Sequence, residues 1–305
     1  MSIPNQPAGA VITLEVPRFE KSYFVTSDVH IDSVYCHRKA FFTDLDQAVE
    51  RDAGIIIVGD LFDAMMGRFD PRRDLEKVRP EYRNNKYYDS LVDDAYSMLK
   101  KYVKNIELIT PGNHETAVLK NANTYLSDRI VNLLNAAGGK VIHGGYGGWI
   151  RVLIKHKNHT YETINIKYFH GSGGEAPVTR GVIQTNRQAV FLPDADIILN
   201  GHSHNAYWVP ITRERISSRG IHYFDTQHHV RTPGYNQAYG DGSEGWEVER
   251  GGVPKPIGGC FITIKAFGNK KTLLDNVITI QPLIHNPVPV APIFDPYTGI
   301  SFPQE

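Results

Sequence analysis

A chain of 305 residues with 41% hydrophobic content has the length and composition of a folded protein with one large core or two small ones, not of a disordered tract. Its 33 basic and 33 acidic residues cancel, so no bulk positive field draws it onto nucleic acid, and any such contact has to come from a local patch. The two cysteines, Cys36 and Cys260, form no Cys-x-x-Cys pair, which argues against a disulfide framework and against a thiolate zinc site.

The opening Met-Ser-Ile-Pro-Asn-Gln-Pro lacks the basic start and apolar run of a signal peptide, and no apolar stretch approaches the roughly 18 residues of a membrane span. The expectation is a soluble cytoplasmic protein with no membrane partner. Residues 1–21 read as an N-terminal extension. Short apolar runs then predict strands at Tyr23-Phe24-Val25, Ile55–Val58, Ile106–Ile109, Ile164–Phe169 and Ile197–Leu199, each rich in branched residues and bounded by Gly, Pro or Asn. Between the early strands, apolar residues three or four apart predict helices over 39–52, 88–104 and 124–137. Strand alternating with helix implies an α/β layered core. After residue 140 the expected elements are strands, at 149–156, 161–169, 197–200, 221–226 and 259–266, which suggests a second sheet packed on the first.

Three segments depart from this rhythm. Residues 67–87 carry two prolines and seven basic against four acidic side chains, and read as an insertion able to cover a site. Residues 231–258 read as a long Gly- and aromatic-rich loop, and 285–305 as a Pro-rich C-terminal tail. The body between, 22–284, reads as one domain.

Each of the five short apolar runs ends in residues able to bind a metal: Asp28-x-His30, Gly59-Asp60-x-x-Asp63, Gly112-Asn113-His114-Glu115, His170-Gly171 and Gly201-His202-x-His204. Ligands at the ends of several strands converge on one crevice in open α/β sheets. Strand alternation would aim residues i and i+2 the same way, so Asp28 with His30 and His202 with His204 can share that crevice. Any one of these motifs occurs by chance. Five in order, each after a strand-like run, do not.

The ordered set resembles the calcineurin-like metallophosphoesterase superfamily, with D-x-H, G-D-x-x-D, G-N-H-E, H and G-H-x-H all present across roughly residues 22–205. The resemblance implies an α/β fold, a two-sheet sandwich with a dinuclear metal site at the sheet edge. It implies one cation on Asp28, His30, Asp60 and His204, and a second on Asp60, Asn113, His170 and His202, with Asp60 bridging. Carboxylate, imidazole and amide donors without thiolate suit manganese first, with iron or zinc as alternatives. Two cations about 3.5–4 Å apart generate hydroxide at neutral pH and orient a phosphoryl group for in-line attack. Since Asn113 already supplies the metal contact, His114 is left free as a general acid for the leaving oxygen, and the resemblance implies that Asp63 orients it.

Protein phosphatases of the superfamily carry Arg directly after the second aspartate of the Gly-Asp motif; here Ala64 follows Asp63. Gly59-Asp60-Leu61-Phe62-Asp63 looks instead like the version in the exonuclease subunits of break-repair complexes and in related nucleotide phosphodiesterases. Residues 170–260 also resemble phosphoesterases of tailed bacteriophages, which points to the cytoplasm of a phage-infected host. The expected substrate is accordingly a phosphodiester of DNA, RNA or a nucleotide, with a phosphomonoester, a phosphoprotein or a catalytically inactive binding scaffold as alternatives. Arg180, Arg187, His228 and Arg231 are candidate substrate contacts, because glycines of 170–187 let backbone N–H groups approach a phosphate and Tyr235 and Tyr239 follow the His228–Arg231 cluster.

Overall fold

In the computed structural model, residues 11–303 are described apart from 17–18, 68–69, 72, 76, 156–160, 175–177, 240–245, 250, 267–275, 287–291 and 295–300. The first half alternates strand and helix: β1 (Val11–Val16), β2 (Glu20–Thr26), α1 (Arg38–Glu50), β3 (Gly54–Val58), α2 (Tyr87–Leu99), β4 (Ile106–Thr110), α3 (Asn113–Ala122) and α4 (Leu126–Ala136). Strands dominate the second half: β5 (Ile142–His143), β6 (Gly147–Lys155), β7 (Tyr161–Phe169), α5 (Val182–Phe191), β8 (Ile197–Asn200), β9 (Tyr207–Ile216), β10 (His222–Arg231), α6 (Trp246–Glu249), β11 (Ile257–Ala266) and β12 (Asn276–His285).

Two six-stranded sheets result, in the orders β1-β6-β7-β8-β10-β9 and β12-β11-β2-β3-β4-β5. Strands β2, β3, β4 and β5 run parallel, as do β7, β8 and β10, so within each set the C-terminal ends lie at one edge. That edge carries the motifs. Residues 11–16, expected in an N-terminal extension, form β1 and pair in parallel with β6. Beyond His285 the expected tail lies outside the described residues, except for a short antiparallel pairing of Pro292–Phe294 with Ser301–Pro303.

The alternation of β2, β3 and β11 divides the core into two layers. Tyr23, Val25, Ile56, Val58, Cys260 and Ile262 face the other sheet and pack on Ile150, Val152, Ile164 and Ile166. Phe24, Ile55, Ile57 and Phe261 face the helices and meet Phe41 and Leu45 of α1, Leu91 of α2 and Ile130 of α4. Burying each such side chain contributes about 1.5–3 kcal/mol, which is what holds the helices to one face and the second sheet to the other. Among the described residues, no helix is long and apolar enough to cross a membrane.

The 67–87 segment docks on the turn that follows β2. Val34 N–H donates to Lys77 O at 2.9 Å and Arg79 N–H to Asp32 O at 3.0 Å, beside a bridge between Ser33 and Val78. It therefore buttresses the Asp28–Cys36 turn from outside.

Candidate metal centre

Five loops bring their side chains together at the sheet edge. Asp28, His30 and His204 place one ligand atom each within 4.8 Å of one another, as do His30, Asp60 and His114, and again Asp60, His170 and His202. Asn113 joins them: its Oδ1 lies 2.8 Å from His202 Nδ1 and 3.1 Å from His170 Nε2. Asp28, His30, Asp60 and His170 are all buried.

The local backbone differs from the extended geometry expected of the D-x-H and H-x-H spacings. Asp28, His30, Asp60, His202 and His204 all have positive φ, between 50° and 73°. The paired ligands lie past their strand ends in left-handed turns, so turn geometry rather than strand alternation aims them at one point. Glycine is required at Gly59, where φ is +79° and a Cβ would run into the His170 ring and the Gly112 Cα. It is required equally at Gly112, where a Cβ would meet the Asp60 carboxylate.

Hydrogen bonds fix which atom each imidazole presents. His30 Nδ1 is 2.9 Å from Asp63 Oδ1, and His170 Nδ1 is 2.8 Å from Val58 O. Both partners only accept, so both Nδ1 atoms carry hydrogen and both Nε2 atoms face the cluster. The Asp63 carboxylate thus orients His30. His114, which it was expected to orient, has its Nδ1 2.6 Å from the backbone oxygen of Asp63 and 3.5 Å from Asp63 Oδ1. Its Nε2 stands 3.9 Å from Asp60 Oδ2, and its side chain keeps partial access to solvent.

Two buried carboxylates given no role from the sequence hold the turns. Asp32 accepts from the N–H groups of Asp63 (2.6 Å) and Ala64 (2.9 Å) and from the Tyr87 hydroxyl (3.0 Å). Glu115 accepts from the N–H groups of Asp60 (3.1 Å), Phe62 (3.0 Å) and Gly112 (2.8 Å). Glu115 stood in the quoted G-N-H-E motif, and Asp32 follows His30 by two residues; a carboxylate beside a predicted turn was the available signal. On the other side Asp28 accepts from Ser27 Oγ and from His202 N–H at 2.8 Å, tying the first loop to the last.

The electrostatics are those of a site short of positive charge. Burial alone would push the Asp60 carboxyl up, but the imidazoles of His170, His114 and His30 hold it well below its usual range. Burial opposes charge on His30 and His170 as well; Asp63, with Asp60 and Asp28, raises His30 to about 9, and Asp60 and Asp28 raise His170 to about 10. His204 goes the other way, lowered by burial to about 4, and burial also lowers His202. Asp28 Oδ1 and His30 Nε2 are nevertheless buried without a hydrogen-bond partner among the described residues. Buried polar atoms left unpaired at the centre of a carboxylate–imidazole cluster fit divalent cations, which both would bind.

The profile of the calcineurin-like phosphoesterase family matches residues 22–206, which include every one of these loops. The chain belongs to the calcineurin-like phosphoesterase family. Membership supports metal-dependent phosphoester hydrolysis as the general activity. Among solved structures, a calcineurin-like phosphoesterase of this kind, YfkN from Bacillus subtilis, is 12% identical, with 86% of this chain and 90% of that one covered and a TM-score of 0.33. GAP50, the anchor in the inner membrane complex of Plasmodium, is 12% identical over 88% of this chain and 90% of its own, with a TM-score of 0.42. A Thermotoga maritima protein determined in solution is 14% identical over 86% and 99%, with a TM-score of 0.30. No curated protein matches the chain.

The four substrate-contact candidates separate in this calcineurin-like fold. Arg231 ends β10 beside the cluster, with Nη1 2.8 Å from the Oγ of Ser203, the residue between His202 and His204. His228 lies three residues back inside the sheet, stacked on Trp208 and accepting from its Nε1–H at 3.1 Å, so it is a packing residue. Arg180 and Arg187 are exposed, at the turn before α5 and on it. Tyr235, which follows the His228–Arg231 cluster in sequence, is fully buried against Phe41 and donates to Asp44.

Proposed function

We propose that this chain is a dinuclear metal-dependent phosphodiesterase acting on nucleic-acid or nucleotide diesters. In this reading one cation is held by Asp28, His30, Asp60 and His204 and the other by Asp60, Asn113, His170 and His202, with Asp60 shared; manganese suits the donor set best. The buried atoms Asp28 Oδ1 and His30 Nε2, which have no hydrogen-bond partner among the described residues and sit among imidazoles from three other loops, carry the reading. When bound, the cations activate the attacking water and neutralise charge on the phosphoryl group.

The chain's own residues supply the rest. His114 donates Nδ1–H to the Asp63 backbone oxygen, which leaves Nε2 toward the cluster to hand a proton to the leaving oxygen. Its N–H at the start of α3 donates to Asp60 Oδ1 at 2.9 Å, so the helix N-terminus favours the shared carboxylate's charge. Arg231 is the phosphate contact among the candidates: its guanidinium, stacked on the Tyr207 ring, reaches the His-x-His turn. Ala64 in place of an arginine after Asp63 leaves no clamp there for a monoester dianion, which favours the diester.

The test is hydrolysis by metal-stripped protein given manganese, zinc, magnesium or nothing, with bis-p-nitrophenyl phosphate compared with p-nitrophenyl phosphate. Metal-dependent cleavage favouring the diester is expected. A preference for the monoester would overturn the substrate class, and no cleavage of either under any metal would favour a binding scaffold.

A further inference from the structure

The segment that leaves β10 at Arg231 and returns to β11 is pinned beside the metal centre. Tyr235 N–H donates to Asp28 O at 2.9 Å, and Gln237 N–H donates to Tyr35 O at 3.0 Å. The Gln237 side chain reaches across to the returning strand of this segment and donates from Nε2 to Lys255 O at 2.5 Å. Lys255 is thereby fixed next to the last ligand turn, with Nζ 3.4 Å from Oδ1 of Asn205, the residue that follows His204.

The charge of this ammonium is not answered within the protein. Lys255 is half-buried, its contact with Asn205 is to a neutral amide oxygen, and no carboxylate of the described residues stands within ion-pair distance of it. Burial lowers its pKa; Glu247 of α6 opposes that, the charge of Arg231 adds to it, and the net direction is down. Arg231 in turn feels the charge of Asp28, so the two cations step outward from the cluster, Arg231 first and Lys255 next. Holding a half-buried ammonium near a guanidinium costs free energy that a bound anion offsets. The centre takes phosphate, and a cation placed one step beyond the phosphate contact suits the next phosphate of a strand, since such contacts set the register of a nucleic acid.

We propose that Lys255 holds the phosphate adjacent to the one hydrolysed, so that the substrate is a nucleic-acid strand and not an isolated diester. The inference rests on the phosphodiesterase reading above and narrows it. Arg231 meets the phosphate at the centre, and Lys255 positions its neighbour, which makes Lys255 a specificity-determining residue.

The test follows cleavage of the internal linkage of a dithymidine diester by the manganese-loaded full chain, with the diester bare or carrying a second phosphate at its 5′ or its 3′ end. At least one phosphorylated form should show about tenfold higher kcat/KM than the bare diester, through a lower KM. Lys255→Met keeps the apolar stem and should raise KM for that form about tenfold with kcat within about twofold, and Lys255→Arg should restore the low KM. Equal kcat/KM for all forms in the parent chain overturns the proposal. So does a preference that Lys255→Met keeps, or an equal loss on every substrate, which would mark a structural role. If no diester is cleaved, the phosphodiesterase reading fails and binding decides Lys255 separately. Thymidine 3′,5′-bisphosphate, titrated calorimetrically, should then bind about tenfold more weakly to Lys255→Met than to the parent chain. Equal binding, or none, overturns the phosphate contact as well.

Discussion

Without metal, protons take the place of cations at the cluster, and pH should therefore control metal affinity. His30 is raised to about 9 and His170 to about 10, because each faces carboxylates that nothing else neutralises. At pH 7 these lie two and three units below their midpoints, so the deprotonated fractions are about 10⁻² and about 10⁻³. A cation must displace each proton, and affinity at each site should rise about tenfold per pH unit until the midpoint and then level off. His202 and His204, both lowered, are already neutral at pH 7 and release nothing. Calorimetric titration of metal-stripped protein in two buffers of different ionisation enthalpy should give about one proton released per cation at pH 7. Chelator competition from pH 6.5 to 8.5 should give the tenfold slope. Affinity that changes by less than about twofold between pH 7 and 8, with no proton release, would mean that both histidines are neutral in the free protein. The Coulomb reasoning from Asp28, Asp60 and Asp63 would then be wrong. The same shifts carry a stability sign. A histidine raised above its unfolded value of 6.5 stabilises fully below that pH and loses its contribution as pH climbs through its folded value. The metal-free protein should thus lose melting temperature between pH 7 and 10, while the loaded protein changes far less.

Three substitutions separate the roles at the site. His114→Ala should keep the metal content while cutting diester turnover by roughly 10² to 10⁴-fold; metal analysis beside steady-state rates checks both, and an unchanged rate removes His114 from the mechanism. Asp60→Asn should lose metal together with activity, since it takes charge from the shared ligand, and a variant with two metals per chain at full rate would sink the bridging assignment. Glu115→Ala strips the acceptor from three buried backbone N–H groups at about 1–3 kcal/mol each. A loss of at least about 3 kcal/mol in denaturant unfolding is expected, and less than about 1 kcal/mol would show that water replaces the carboxylate.

What could be read from the sequence was whatever repeats a period or ends one. β2, β3, β4, β7 and β8 follow the short branched runs, and α1, α2 and α4 follow the three apolar stripes. Elements without such a pattern were missed. β9 puts Pro210 and a run of charged residues where alternating apolar residues would mark a strand, as befits a sheet edge. α5 buries only Thr185 completely, so its apolar residues trace no stripe facing a core. α3 begins inside the Asn113-His114-Glu115 motif, where ligand chemistry rather than helix formation selects the residues. At the site, the identities of the clustered residues were legible and their partners were not. That the Asp63 carboxylate serves His30 while its backbone serves His114 depends on a turn whose dihedrals no spacing encodes.

Those dihedrals explain why so much of the surrounding polar network is buried. Left-handed backbone at a residue other than glycine costs of order 1–3 kcal/mol, and Asp28, His30, Asp60, His202 and His204 all adopt it. Unsupported, such turns would relax and scatter the ligand atoms. The support comes from groups that accept backbone N–H bonds at fixed positions: Glu115 at Asp60 and Phe62, Asp32 at Asp63 and Ala64, and Asp28 itself at His202. Each acceptor is a buried carboxylate, the side chain whose hydrogen bonds to N–H are among the strongest available. The turn after β3 is thus clamped from α3 by Glu115 and from the β2 loop by Asp32, so Asp60 cannot move without breaking bonds on two sides. A site built this way holds its donor atoms in place before a cation arrives. Weakening a clamp should accordingly reduce metal affinity in variants that are still fully folded, because strain released in the turns displaces ligands before it unfolds the sheets.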